Sequence, residues 1–201
     1  KTNNNGQLKC LILAPTRELA IQIHDNIVEY SKYVKVKSAV IYGGVKQGRQ
    51  VEALKQKVDI LVATPGRLDD LMKQRIVTLK HVNVLILDEA DRMLDLGFVV
   101  DVENIVKRIP NQRQTLLFTA TFPKSIENVA NRYLHKPVSI SVTPVSSAVE
   151  TVEQSLYYLD RVNKVNLLVD LLKANPGESV LVFCRTKHNV DRVVKHLKRM
   201  N

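Results

Sequence analysis

The chain has 201 residues and a formal net charge of +10, from 30 Lys plus Arg against 20 Asp plus Glu. With 45% hydrophobic and 25% charged residues it has a folded globular composition, which excludes a disordered or collagen-like chain. Two cysteines exclude a disulfide framework, no apolar run approaches ~18 residues, and the basic balance favours a polyanionic partner.

Short apolar runs alternate with longer helical patterns. The first six residues, Lys1 to Gly6, carry no apolar segment of the kind a signal peptide needs. Cys10–Ala14 is the first predicted strand, and Thr16 is placed to cap a helix whose apolar face is Leu19, Ala20, Ile23 and Ile27. Lys37–Ile41 and Ile60–Ala63 are further strands. Thr64 and Pro65 open a helix that buries Leu68, Leu71 and Met72. Val84–Leu87 and Gln114–Phe118 follow as strands, and Pro123 leads a helix with Ile126, Val129 and Ala130 inward. Val138–Ser141, Val152–Tyr158 and Ser179–Phe183 also read as strands, and Arg161–Ala174 and Lys187–Met200 as helices. The strands lack polar alternation, as in a parallel sheet covered on both faces. Strand–helix repetition predicts an α/β, doubly wound architecture, in which ligands bind beyond the carboxyl ends of the strands.

Residues Thr143–Thr151 are small, polar and Pro-containing and read as a linker. The expected organisation is therefore 1–142, a linker at 143–151, and 152–201 as the beginning of a second domain. Cys10 and Cys184 both lie within apolar runs, as small buried hydrophobes in a reducing cytoplasm would. The five histidines show no metal-ligand spacing.

The sharpest chemical signal is the run Val84-Leu85-Ile86-Leu87 followed by Asp88-Glu89-Ala90-Asp91. An apolar strand that delivers adjacent carboxylates to its end is suited to hold Mg²⁺, which prefers carboxylate, water and phosphate oxygens. A second acid beside the first can orient or deprotonate an attacking water. The same pair also suits the positive end of a helix dipole, with no metal involved.

Taken with its neighbours, this run resembles the motif of the DEAD-box ATP-dependent RNA helicases. Ala14-Pro15-Thr16-Arg17-Glu18-Leu19-Ala20 looks like motif Ia, Gly43-Gly44 like the glycine doublet, and Thr64-Pro65-Gly66-Arg67 like motif Ib. Thr119-Ala120-Thr121 looks like motif III, where the family usually has Ser first, and Leu181-Val182-Phe183-Cys184-Arg185-Thr186 like motif IV. The stretch Arg92 to Phe98 is similar to the compact bacterial members of the RhlE type.

The resemblance implies a RecA-like parallel sheet flanked by helices, joined to the start of a second RecA-like domain. It implies ATP and Mg²⁺ as cofactors, with Asp88 on the metal and Glu89 on the hydrolytic water. Asp91 is expected to hydrogen-bond to Thr119 or Thr121. Pro15, Thr16, Arg17, Gly43, Gly44, Thr64, Pro65, Gly66, Arg67, Arg185 and Thr186 are expected to contact RNA, single-stranded or duplex, without sequence preference. Hydroxyls, helix N-terminal amides and guanidinium groups suit phosphate oxygens, and glycines allow close main-chain approach. Taken singly, Thr16 and Thr64 equally suit plain N-caps, Arg17 an ion pair with Glu18 or Asp91, and Gly43-Gly44 a turn. With aromatic residues at 5% and no Trp, base stacking is sparse and backbone gripping is favoured.

No Gly-x-x-x-x-Gly-Lys-[Ser/Thr] phosphate loop occurs, and motifs V and VI of the family are not found. Lys1-Thr2 is not expected to be the tail of such a loop, because Asn3-Asn4-Asn5-Gly6 is a poor helix start and motif Ia follows too soon. The chain by itself is therefore expected not to hydrolyse ATP. Two further readings stand beside the helicase one: a non-catalytic RNA-binding module, and a DNA helicase of the same superfamily.

Overall fold

The computed structural model describes residues 7–142, 153 and 155–199. The chain divides into two compact units, Lys1–Ser146 and Ser147–Asn201.

The first unit is built on a five-stranded sheet. Its strands are β1 (Cys10–Leu13), β2 (Ser38–Ile41), β3 (Ile60–Ala63), β4 (Val84–Leu87) and β5 (Gln114–Leu117). All neighbours pair in parallel, in the order β2-β3-β1-β4-β5. The register is level: Leu13 stands opposite Ala63 and Leu87, and Leu87 opposite Leu117. All the carboxyl ends therefore lie along one edge. Backbone bonds from Ala14 N to Ala63 O, Asp88 N to Leu13 O and Phe118 N to Leu87 O carry the ladder one residue further.

The pleat sends alternate residues to opposite faces, and both faces are covered. Leu11, Leu13, Leu61, Leu85 and Leu87 belong to one apolar cluster, with Leu68 and Leu71 of α3 (Pro65–Lys73) and Ile105 of α5 (Val99–Val106). Ile12, Ala14 and Val62 belong to the other, against Leu19, Ala20, Ile23 and Ile27 of α1 (Arg17–Tyr30). The sequence pattern predicted the α1 and α3 faces.

Three short helices were not predicted: α2 (Gly48–Leu54), α4 (Ala90–Asp95) and α5. α2 opens on Gly, and α5 opens on Val99 and Val100, whose β-branching argues against helix. α5 forms because Val102, Ile105 and Val106 are buried in the apolar cluster on one face of the sheet, where α5 packs beside α3, so tertiary burial overrides propensity. Gly97, at φ 81°, ends α4, with Gly97 N–H on Leu94 O at 2.9 Å and Phe98 N–H on Met93 O at 3.0 Å. This is the paired capping pattern that favours glycine.

Pro123 stands one position earlier than expected, as the extended cap of α6 (Lys124–Tyr133) rather than in its first turn. Val138–Ser141 forms no strand, and Val138 and Ile140 are almost fully exposed. Residues 155–158 and Ser179–Phe183 form none either; the rest of the expected strand at 152–158, apart from 153, and the linker at 143–151 lie outside the described residues. An apolar run becomes a strand only where another strand is within hydrogen-bonding reach, and a local pattern does not specify that neighbour.

In the second unit a 3-10 turn at Arg161–Asn163 runs into α7 (Lys164–Ala174), and α8 (Lys187–Leu197) follows. No helix among the described residues is long and apolar enough to cross a membrane. Both cysteines are free, and burial pushes the Cys10 thiol up to about 11, which leaves it protonated and inert at neutral pH.

Candidate nucleotide and RNA site

The acidic turn lies where β4 ends. Asp88 continues the ladder and is half-buried, and burial raises its carboxyl pKa above the ordinary value. Its Oδ1 accepts the Glu89 amide at 3.0 Å. Glu89 caps α4 in the left-handed region, with φ 47° and ψ 54°. A non-glycine residue held there costs about 1–3 kcal/mol, so the surroundings must enforce it. The Asp88 carboxylate on one side, and the Ala90 amide donating to Phe118 O at 3.0 Å on the other, do so. The Glu89 Oε2 lies 3.1 Å from Arg92 Nη1, in an exposed pair of the kind worth only about 0–1 kcal/mol.

Asp91, in the first turn of α4, reaches the loop that follows β5. Its Oδ2 accepts both the amide of Thr121 at 2.9 Å and its hydroxyl at 2.8 Å, while Oδ1 accepts the Arg92 amide at 3.0 Å. Desolvation acts to raise the Asp91 pKa, but the hydrogen bonds from Thr121 and Arg92 outweigh it and the pKa is lowered. Of the two expected partners, Thr121 takes the carboxylate. Thr119 lies near enough to contribute to the lowering, yet its hydroxyl proton goes to the Thr121 carbonyl at 2.7 Å. Thr119 thus fixes the loop that presents Thr121.

The other predicted residues occupy the remaining strand ends. Pro15, Thr16 and Arg17 follow β1; the Thr16 hydroxyl caps α1 by accepting the Leu19 amide at 3.3 Å. Arg17 forms neither of the ion pairs considered for it; its guanidinium stacks over the Tyr42 ring, 5.1 Å from the centroid. Gly43 and Gly44 follow β2. A side chain at Gly44 is disfavoured by its φ of +80°, whereas Gly43 has open space for a Cβ and no such constraint.

Thr64, Pro65, Gly66 and Arg67 follow β3, with Thr64 buried and making no side-chain cap bond. Arg67 donates to Gln50 Oε1 at 3.0 Å and to Val45 O at 2.8 Å. In the second unit Thr186 caps α8, accepting the Asn189 amide at 3.3 Å, beside the exposed Arg185.

Sequence reasoning missed Tyr42, Gln50 and Arg92. Arg92 meets Glu89 within its own turn, at i,i+3 spacing, whereas Tyr42 meets Arg17 and Gln50 meets Arg67 only when separate strand ends come together.

No cluster of three acidic, His or Cys ligands for a metal occurs among the described residues. A single strand-end carboxylate nevertheless fits Mg²⁺, which keeps several waters and takes further oxygens from bound phosphates. Asp88 has the position and chemistry for that role.

A parallel sheet with an acidic turn and several loops on its carboxyl edge places these groups where open α/β sheets bind their ligands. The chain belongs to the DEAD/DEAH box helicase family, whose pattern it matches over residues 1–129. It is 41% identical over 94% of its length to DEAD-box ATP-dependent RNA helicase 40 of rice, Oryza sativa subsp. japonica, and covers 24% of that protein. It is 42% identical over 95% of its length to the ATP-dependent RNA helicase RhlB of Xanthomonas axonopodis pv. citri, and covers 34% of it. The crystal structure of a DEAD box protein from the hyperthermophile Methanococcus jannaschii superposes with a TM-score of 0.66 at 37% identity, covering 99% of this chain and 53% of that one. The chain thus spans about a quarter to a third of these curated relatives. Plant and bacterial relatives match at near-equal identity, so these comparisons do not single out the RhlE type.

Proposed function

We propose that the protein carrying this chain is an ATP-dependent RNA helicase that couples ATP binding and hydrolysis to separation of RNA duplexes. The observation that supports it most is the bond pair from Thr121 to Asp91. It joins an acidic turn suited to Mg²⁺ and water activation to the next strand end, on the same sheet edge as three loops suited to phosphates.

Asp88 would hold Mg²⁺, which when bound neutralises charge on the nucleotide phosphates. Glu89 would orient the attacking water and take its proton, and its weak pair with Arg92 leaves it available. Asp91, with Thr119 and Thr121, would transmit the state of the nucleotide. The edge formed by Pro15, Thr16, Arg17, Gly43, Gly44, Thr64, Pro65, Gly66 and Arg67 would bind the RNA backbone, and Arg185 and Thr186 would contribute from the second unit. Residues 1–142 are read as part of the ATP-binding domain and 152–201 as the beginning of the second, with the phosphate loop supplied by the rest of the protein. Contacts of this kind read backbone rather than bases, which fits RNA binding without sequence preference. Free cysteines suit a cytoplasmic setting.

The test is ATPase activity of the full-length protein with and without single-stranded RNA, and with Glu89→Gln as control. RNA-stimulated turnover that depends on Glu89 supports the proposal. RNA binding with no ATP turnover sinks it in favour of a binding module, and stimulation by DNA alone sinks the choice of RNA.

A further inference from the structure

Gln50 lies in α2 and is only 8% exposed, although glutamine ordinarily stays in solvent. Its burial is explained by its partners. The Tyr42 amide donates to Gln50 Oε1 at 3.2 Å, and Gln50 Nε2 donates back to the Tyr42 carbonyl at 3.0 Å. The side-chain amide thus pairs with the main chain at the end of β2 much as a neighbouring strand would. Arg67 Nη1 donates to the same Oε1 at 3.0 Å, and its Nη2 to the Val45 carbonyl at 2.8 Å.

Tyr42 and Val45 flank Gly43-Gly44, so the glycine doublet is clamped at both ends. Beyond Tyr42, the ring carries the Arg17 guanidinium at 5.1 Å. A single chain of contacts joins the loops after β3, β2 and β1, with Gln50 at its centre.

We infer that Gln50 is a positioning residue for RNA binding: it fixes the glycine-doublet loop, Arg67 and Tyr42 in the shape that receives the RNA backbone. The inference rests on the RNA-binding reading above. Glycines give a loop many conformations, and a loop ordered before the ligand arrives binds more tightly than one ordered by it. Arg67 is then as much a strut as a phosphate ligand. Two of its donor nitrogens are already engaged internally, and only its other N–H groups remain for phosphate.

The experiment measures RNA-stimulated ATPase of the full-length protein as RNA is titrated, for wild type, Gln50→Leu, Gln50→Asn and Gln50→Glu. Gln50→Leu keeps the bulk and removes every bond; the RNA concentration for half-maximal stimulation should rise about tenfold, with the rate at saturating RNA within about twofold. Gln50→Glu keeps the acceptor for Arg67 and the Tyr42 amide and should recover most of that loss. Gln50→Asn draws the amide back by one methylene and supplies the test if Gln50→Leu does not fold. Unchanged half-saturation in the folded variants overturns the inference while leaving the functional proposal standing. So does a fall in maximal rate alone, the mark of a general loss of structure. A wild-type protein with no response to RNA overturns both.

Discussion

The link between Asp91 and Thr121 allows a quantitative test of the coupling. One carboxylate oxygen accepts both the amide and the hydroxyl of Thr121, at 2.9 and 2.8 Å, and the other accepts the Arg92 amide. A hydrogen bond to a charged group contributes about 1.5–3 kcal/mol when shielded; this turn is partly open to solvent, so about 1 kcal/mol per Thr121 contact is the reasonable scale. Thr121→Val removes the hydroxyl alone and should destabilise the first unit by about 1 kcal/mol. Asp91→Ala removes every contact and should cost about 2 kcal/mol, because the freed Arg92 and Thr121 donors partly recover bonds to water. Once the carboxylate is gone the exposed hydroxyl bonds only water, as it does in the unfolded chain, and contributes nothing to stability. The double variant should therefore match Asp91→Ala, giving a coupling of about 1 kcal/mol.

The assay is calorimetric unfolding of the full-length protein, following the transition of the first unit. Single-variant costs that add within about 0.3 kcal/mol would refute the reasoning. A second check uses pH. The folded Asp91 pKa lies below its unfolded value, so its contribution is present above the ordinary carboxylate pKa of about 3.9 and is lost as pH falls through the lowered value. The difference between wild type and Asp91→Ala should be flat from about pH 5 to 8 and should shrink below about pH 4.

Asp88 should behave with the opposite sign. Burial raises its folded pKa, so its charged form opposes folding at neutral pH; Asp88→Asn should stabilise the metal-free protein at pH 7, read by thermal unfolding, while abolishing ATP turnover. A loss of stability on that substitution would contradict the assignment of burial as the dominant influence. Glu89→Gln should lower turnover by about 10²–10⁴-fold while ATP affinity, measured by nucleotide titration, stays within about threefold; near-normal turnover would remove Glu89 from catalysis. Gly43 has room for a side chain and no positive φ, so Gly43→Ala should leave the melting temperature unchanged. If RNA approaches the main chain there, the same substitution weakens RNA binding in a filter-binding titration; unaltered affinity would place the RNA elsewhere.

Much of the first unit is legible in the chain. The five strands β1–β5 fall within one residue of their predicted limits, because each is a short, β-branched or Leu-rich run bounded by polar turns. α1 and α3 are equally clear, since a Thr cap or a first-turn Pro precedes apolar residues at helical spacing. The short helices are not legible. α5 opens with valines that favour strand locally, and becomes a helix because α3 and the apolar cluster beneath it bury one stripe of its residues. The reverse holds for Ser179–Phe183, which has strand composition but forms no strand among the described residues.

The candidate site divides in the same way. By itself, the sequence determined which chemical groups stand at strand ends: carboxylates after β4, hydroxyls after β1, β3 and β5, glycines after β2. That order is local, because the end of an apolar run is also the end of a strand. Their partners came from the assembly of the sheet. The sheet order places β5 beside β4, so that Thr121 rather than Thr119 takes Asp91, and β2 beside β3, so that Gln50 meets both Tyr42 and Arg67. The physical reason is that a hydrogen bond is decided within about 3 Å, whereas residues 17 or 30 positions apart come that close only when the whole sheet assembles.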